Sequence, residues 1–260
     1  MKLNISAKAN ARLKRVMELV ESDAALEQHL RCANVTAVER MGYSDHGRVH
    51  AKIVARMALR ILRILTSRGV VPSIAQHYGK EGMGAEDAEV VVVLASLLHD
   101  IGMMIHRHQH DLYGIVLARP VLERVLAGYA PEQRVIMTAE VLHAMTFHDS
   151  DVPPLTIEGG IVRIADGLDM EEGRARIPFD LGKRDIHAVS ALAIDKVEVS
   201  EGGDGEKPVQ IRITMSNSAG IFQVDELLKR KINISALIDY IHVRATITGA
   251  EKGILKEIDF

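Results

Sequence analysis

The sequence predicts a mainly α-helical protein with a small α+β appendage at its C-terminal end. Apolar residues recur at three- and four-residue steps through the first two-thirds of the chain. Strand-like alternation begins only past about Ile186. Glycine and proline clusters punctuate the helical segments. At 260 residues the chain can bury a substantial core, and it divides into a helical domain over 1–186 and a smaller α+β domain over 187–260.

The segment HGRVHAKIVARMALRILRIL places His50, Val54, Met57, Ile61 and Leu65 on one helix face. Lys52, Arg56, Arg60 and Arg63 form a basic stripe on another, so His50 points toward the core. SRGVVPSIAQHYGKEGMGAED then reads as a long solvated loop, either functional or a mobile insertion. Glu86 and Asp87 suit the positive end of a helix dipole, and the run to Leu98 is apolar all round, which predicts a helix through the middle of the domain. It delivers His99 and Asp100 at its end.

LYGIVLARPVLERVLAG is helical again, with Pro120 marking a kink or a break between two helices. Pro131 fits the first turn of PEQRVIMTAEVLHAMTFH, and DSDVPPL separates that helix from TIEGGIVRIADGLDMEEG, which carries Asp166. Beyond it, AIDKVEVS and VQIRITMS alternate as strands around EGGDGEKP, and VRATITGAEKGILKEIDF reads as further strand. DELLKRKINISALIDYI between them reads as one or two helices.

The net charge of -3 and pI near 6.5 leave no chain-wide basic field, which argues against nucleic acid as a partner and favours a small-molecule substrate. Cys32 is the sole cysteine, which excludes an internal disulfide and the cysteine-based zinc motifs and fits a reducing cytoplasm. The start MKLNISAKANARLKR lacks a secretory apolar region, and the longest apolar run, VVVVLASLL, is about half a membrane span. A soluble, cytoplasmic protein without membrane contact is expected.

Twelve histidines with no tryptophan direct attention to metal binding. SLLHDIGMMIHRHQHDLYG alone holds His99, His106, His108 and His110. Histidines and aspartates that are buried or at helix ends occur at His50, at His99 with Asp100, at His110, in the His143 to His148 stretch, and at Asp166. Burying that many ionisable groups without a shared partner is costly, and a divalent cation is the economical one.

HAKIVA from His50, LLHDIG with His99 and Asp100, and IVRIADGLD with Asp166 together resemble the HD superfamily of metal-dependent phosphohydrolases, over roughly residues 40–175. The resemblance implies a helical bundle in which His50, His99, Asp100 and Asp166 hold one metal. It implies His110 and His148 as ligands of a second, with Asp100 bridging. His143 competes with His148 for that role. His46 and Asp169 are expected in an outer shell, His106 and His108 at the surface or facing substrate, and Met103 and Met104 in packing.

The implied site has mixed nitrogen and oxygen donors, suited to one or two ions of iron, manganese, zinc, cobalt or nickel. Asp100 and His99 would stand at the catalytic centre, where a metal-activated hydroxide attacks a phosphate mono- or diester of a nucleotide or another small phosphorylated metabolite. Arg107, Arg174 and Lys52 are candidate phosphate contacts. No serine elbow, P-loop or HExxH supports a rival hydrolase mechanism. The superfamily's cyclic dinucleotide phosphodiesterases carry a GYP signature beyond the paired histidines, where this chain has HDSDVPP. Two alternatives stay open: a di-iron oxygenase of the same fold, and a nucleotide-sensing regulatory protein. The α+β tail would complete the pocket or form a homodimer interface.

Overall fold

The computed structural model describes residues 2–171, 186–249 and 257–260. Among these, α1 (Ala11–Ser22), α2 (Ala24–Asn34), α3 (Arg48–Ser67), α4 (Ser73–Tyr78), α5 (Ala85–Leu98), α6 (His110–Val125), α7 (Pro131–Thr146) and α8 (Ile157–Leu168) form a helical bundle. Helix α5 is its pillar, because a segment apolar on every side can only be satisfied by neighbours all round. Every residue from Val90 to Leu98 is buried, and α1, α3, α4, α7 and α8 pack against it. The start of α5 is set by Asp87, whose buried carboxylate accepts from the Gly84 amide at 2.8 Å and the Tyr129 hydroxyl at 2.9 Å, and pairs with Arg12.

Helix α3 buries His50, Val54, Ile61 and Leu65 as its periodicity predicts, with Met57 partly buried. Its basic stripe braces the N-terminal segment: Arg56 donates to the Leu3 carbonyl at 3.1 Å, and Arg63 donates to the Ser6 carbonyl at 2.8 Å and to Glu89 at 2.6 Å.

Two expectations are corrected. The stretch between α3 and α5 is not a plain solvated loop: it holds α4 and a 3-10 turn over Gly79–Glu81, with Ile74 fully buried. The amides of Ser73 and Ile74 donate at 3.2 and 3.1 Å to Glu158, a buried carboxylate on α8. That cap comes from far along the chain, so no local pattern announces it. Pro120 does not split its segment either, since α6 runs on through it. The carbonyl that proline leaves without a donor belongs to Val116, which is exposed, so water can satisfy it.

Past α9 (Ile186–Ala191), strands β1 (Ile194–Glu201) and β2 (Val209–Met215) form the expected antiparallel hairpin. The chain then crosses through a π-helical turn at Gln223–Leu228 and α10 (Lys229–Ile234) to β3 (Ile241–Ile247), which pairs parallel to β2. A short β4 (Glu257–Asp259) closes the sheet order β1-β2-β3-β4. The crossover lies on α8. Its fit depends on Gly160, where a Cβ would overlap the Ser235 carbonyl oxygen and stand 3.2 Å from Leu237 Cδ1. No helix among the described residues is long and apolar enough to cross a membrane.

Candidate metal centre

Five helix ends converge on one buried spot. His50 lies in the first turn of α3, His99 and Asp100 follow the last turn of α5, His110 opens α6, His148 stands just past α7, and Asp166 is in the last turn of α8. His50, His99, Asp100, His110 and His148 are all buried.

The donor atoms fall into two groups that share one carboxylate. His50 Nε2 lies 3.0 Å from His99 Nε2, 3.2 Å from Asp166 Oδ1 and 3.3 Å from Asp100 Oδ2. His99 Nε2 is 3.2 Å from the same Asp100 oxygen. On the other side, His110 Nε2 and His148 Nε2 stand 3.1 Å apart, and 3.4 and 3.6 Å from Asp100 Oδ1. Two ligands at about 2.1 Å from one ion, at right-angled to tetrahedral spacing, are separated by about 2.9–3.4 Å. Most of the observed spacings fall in that range, while His99 to Asp166 Oδ1 at 3.7 Å and His148 to Asp100 Oδ1 at 3.6 Å lie just beyond it.

The hydrogen bonds behind the rings fix which nitrogen faces inward. His99, His110 and His148 each direct Nδ1 at the carbonyl three residues earlier, those of Ser96, Arg107 and Met145, at 2.7, 2.9 and 2.6 Å. His50 Nδ1 meets Asp169 Oδ2 at 2.6 Å. With Nδ1 donating, each ring turns Nε2 to the cluster, where the neutral imidazole presents the lone pair a metal ligand requires, and where His99 must first give up its Nε2 proton. Asp169 is therefore the outer partner of His50. His46 sits behind the same ring, with its Nδ1 at 2.7 Å from the Ser44 carbonyl and its ring centroid 5.7 Å from that of His50.

Electrostatics favour a cation at this spot. Burial opposes charge on Asp100, yet His99, His46, His110 and His148 hold its carboxyl well below the usual range. Burial likewise opposes charge on Asp166, and Lys231, His50 and His99 hold it well below that range. Burial disfavours a charged His99, but the Asp100 and Asp166 carboxylates against it raise it to about 9. Burial pushes His148 down, keeping it neutral and able to ligate.

His143 does not join the cluster. Its Nε2 accepts from the Leu155 amide at 3.0 Å, and its ring packs on Phe147. If the cluster holds an ion in each group, a His148→Ala chain is expected to lose one of the two. His143→Ala should leave metal content unchanged and lose only about 1 kcal/mol of stability. Metal content per chain, read beside the melting temperature, separates the two.

Among the expected phosphate contacts, Arg107 pairs with Asp149 at 2.9 Å. Both line a cleft of about 410 Å³ with Met41, Tyr43, His106, His108 and His110. Lys52, two residues past His50 on α3, projects about 200° further round the helix, away from the face that presents His50. Arg174 lies outside the described residues. Arg163, near the motif in sequence, is buried and donates to the carbonyls of Phe147, at 2.8 Å, and Ser150, so it braces the loop that carries His148.

Sequence reasoning missed Lys231. From α10 its ammonium reaches Asp166 Oδ2 at 2.8 Å and the His148 carbonyl at 2.9 Å. The run KRK at 229–231 looks like any solvated basic patch, so only the packing of the crossover on α8 reveals it.

The family model described as HD domain matches residues 45–171. Over 247 residues, 94% of this chain and 93% of the other, the chain is 42% identical to "Uncharacterized protein MJ1020" of Methanocaldococcus jannaschii. No solved structure matches it.

Proposed function

The chain belongs to the HD domain family, and from that premise we propose that it hydrolyses a phosphate mono- or diester of a nucleotide or similar small phosphorylated metabolite, using two divalent ions held at the buried cluster. His50, His99 and Asp166 would hold one ion, His110 and His148 the other, and Asp100 both. The observation that carries this reading is the division of Asp100, with Oδ2 facing His50 and His99 while Oδ1 faces His110 and His148. Bound there, the ions supply a water acidic enough to lose its proton near neutral pH, and positive charge opposite the phosphoryl oxygens.

The chain's own residues do the rest. The four Nδ1 hydrogen bonds hold the imidazoles in a single orientation, so little reorganisation accompanies the chemistry. The cleft beside His110 offers substrate a polar rim of Arg107, His106 and His108 and a partly exposed Tyr43 ring beside Met41. A wall with an aromatic face and a polar rim that carries Arg107 as well as Asp111 and Asp149 suits a nucleobase at one end and polar groups at the other, and the volume is within the range of small-ligand sites.

The test is phosphate and nucleoside release from a panel of nucleotides by protein purified anaerobically and loaded in turn with manganese, iron, cobalt, nickel or zinc. Turnover that chelator abolishes and metal restores is expected. Tight nucleotide binding without turnover under every metal would point to a sensor, and oxygen uptake coupled to substrate loss to an oxygenase; either result sinks the hydrolase reading.

A further inference from the structure

We propose that Lys231 is a phosphoryl-anchoring residue, so that the C-terminal α+β region supplies part of the substrate site rather than a separate module; this rests on the hydrolase reading above. The side chain is only 16% exposed, with its ammonium 2.8 Å from Asp166 Oδ2 and 3.8 Å from Asp149 Oδ1. A lysine is rarely held so far out of water without a charged partner in view. Here two carboxylates and a carbonyl fix it beside the metal cluster.

The approach path is built for it. A Cβ on Gly167, the residue after Asp166, would stand 2.9 Å from Lys231 Cδ and 3.5 Å from Leu228 Cδ1. Glycine at this position leaves α8 bare where the lysine stem crosses it. Asp149 then links Lys231 to Arg107, which donates to its other oxygen at 2.9 Å. Two cations thus flank one carboxylate, and Arg107 and Asp149 line the cleft.

Charge balance shows what the pair is for. Asp166 uses Oδ1 toward His50 and His99 and Oδ2 toward Lys231. Asp100, Asp149, Asp166 and Asp169 together carry as much negative charge as two divalent cations carry positive. With both ions held and Asp111 on the cleft wall counted, Lys231 and Arg107 leave a net positive charge, which draws an anionic phosphoryl group.

The experiment uses the full metal-loaded chain and inorganic phosphate as the probe, read by calorimetry and therefore independent of turnover. Lys231→Met is expected to keep the parental metal content and to bind phosphate about tenfold to a hundredfold more weakly. Lys231→Arg, which keeps the charge, should recover most of that loss. KM for any phosphate ester that turns over should rise in Lys231→Met by a similar factor. Unchanged phosphate affinity in Lys231→Met, with tighter metal binding, would mean that Lys231 only neutralises Asp166, and overturns the proposal. Should Lys231→Met fail to take up metal, Gly167→Ala carries the same test, since it retains the charge and displaces the stem: weaker phosphate binding supports the anchor, and parental binding overturns it. Loss of phosphate binding in a chain that hydrolyses nothing would uphold the anchor while the hydrolase reading falls.

Discussion

An Asp100→Asn chain is expected to lose at least one of the two ions proposed for the cluster and to fall in the proposed activity by roughly a thousandfold or more, beyond the 10–100-fold typical of losing an outer partner. The reason lies in the two-sided position of this carboxylate. Oδ2 stands 3.2 and 3.3 Å from His99 and His50, and Oδ1 stands 3.4 and 3.6 Å from His110 and His148. An asparagine of the same shape must turn its NH2 toward one pair, and an NH2 group cannot ligate. Asp169→Asn is the matched control, because Asp169 meets His50 at Nδ1, on the side of the ring away from the cluster. It should weaken metal binding about 10–100-fold without abolishing either site. Elemental analysis after anaerobic purification, with circular dichroism to confirm folding, reads both. An Asp100→Asn chain that keeps two ions and parental turnover would remove Asp100 from its bridging role.

What the sequence makes legible follows the range of the interactions. His50 announces itself through the period of its own helix, and the His99 and Asp100 dyad through adjacency after an apolar run, both within a few residues. The choice between His143 and His148 turns on where α7 stops. The helix ends at Thr146, and His148 folds back with Nδ1 on the Met145 carbonyl, a detail of the last turn that periodicity does not resolve. Helix α4 depends on Glu158, and the position of Lys231 on the crossover lying on α8. Those are contacts between distant parts of the chain, and no window of neighbouring residues contains them. Arg163 shows the converse: a cation near the motif in sequence is consumed by the Phe147 and Ser150 carbonyls.

Gly102→Ala is expected to strip the second ion while sparing the first. Gly102 belongs to the 3-10 turn Ile101–Met104 directly after the dyad, and this turn packs against the start of α6. A Cβ there would overlap the His110 carbonyl oxygen and lie 2.7 Å from His110 C and 2.8 Å from Gly114 N. These are backbone atoms of a helix, so no side chain can swing aside and α6 itself must move. Such overpacking costs about 1–3 kcal/mol, a drop of roughly 2–12 °C in melting temperature for a chain of this size. His110 moves with the helix, and its Nε2 is then pulled from the position 3.1 Å from His148 Nε2. Metal sites tolerate only about 0.2 Å in ligand distance, so the pair no longer grips an ion. His50 and Asp166 stand on α3 and α8, His99 just past α5, and the overlap falls on His110 and Gly114 of α6, so their ion should stay. One ion per chain, with a lowered melting temperature, is the expected result. Two ions at the parental melting temperature would mean that α6 yields freely, and that the glycine after the dyad is not what brings the second pair of histidines to Asp100.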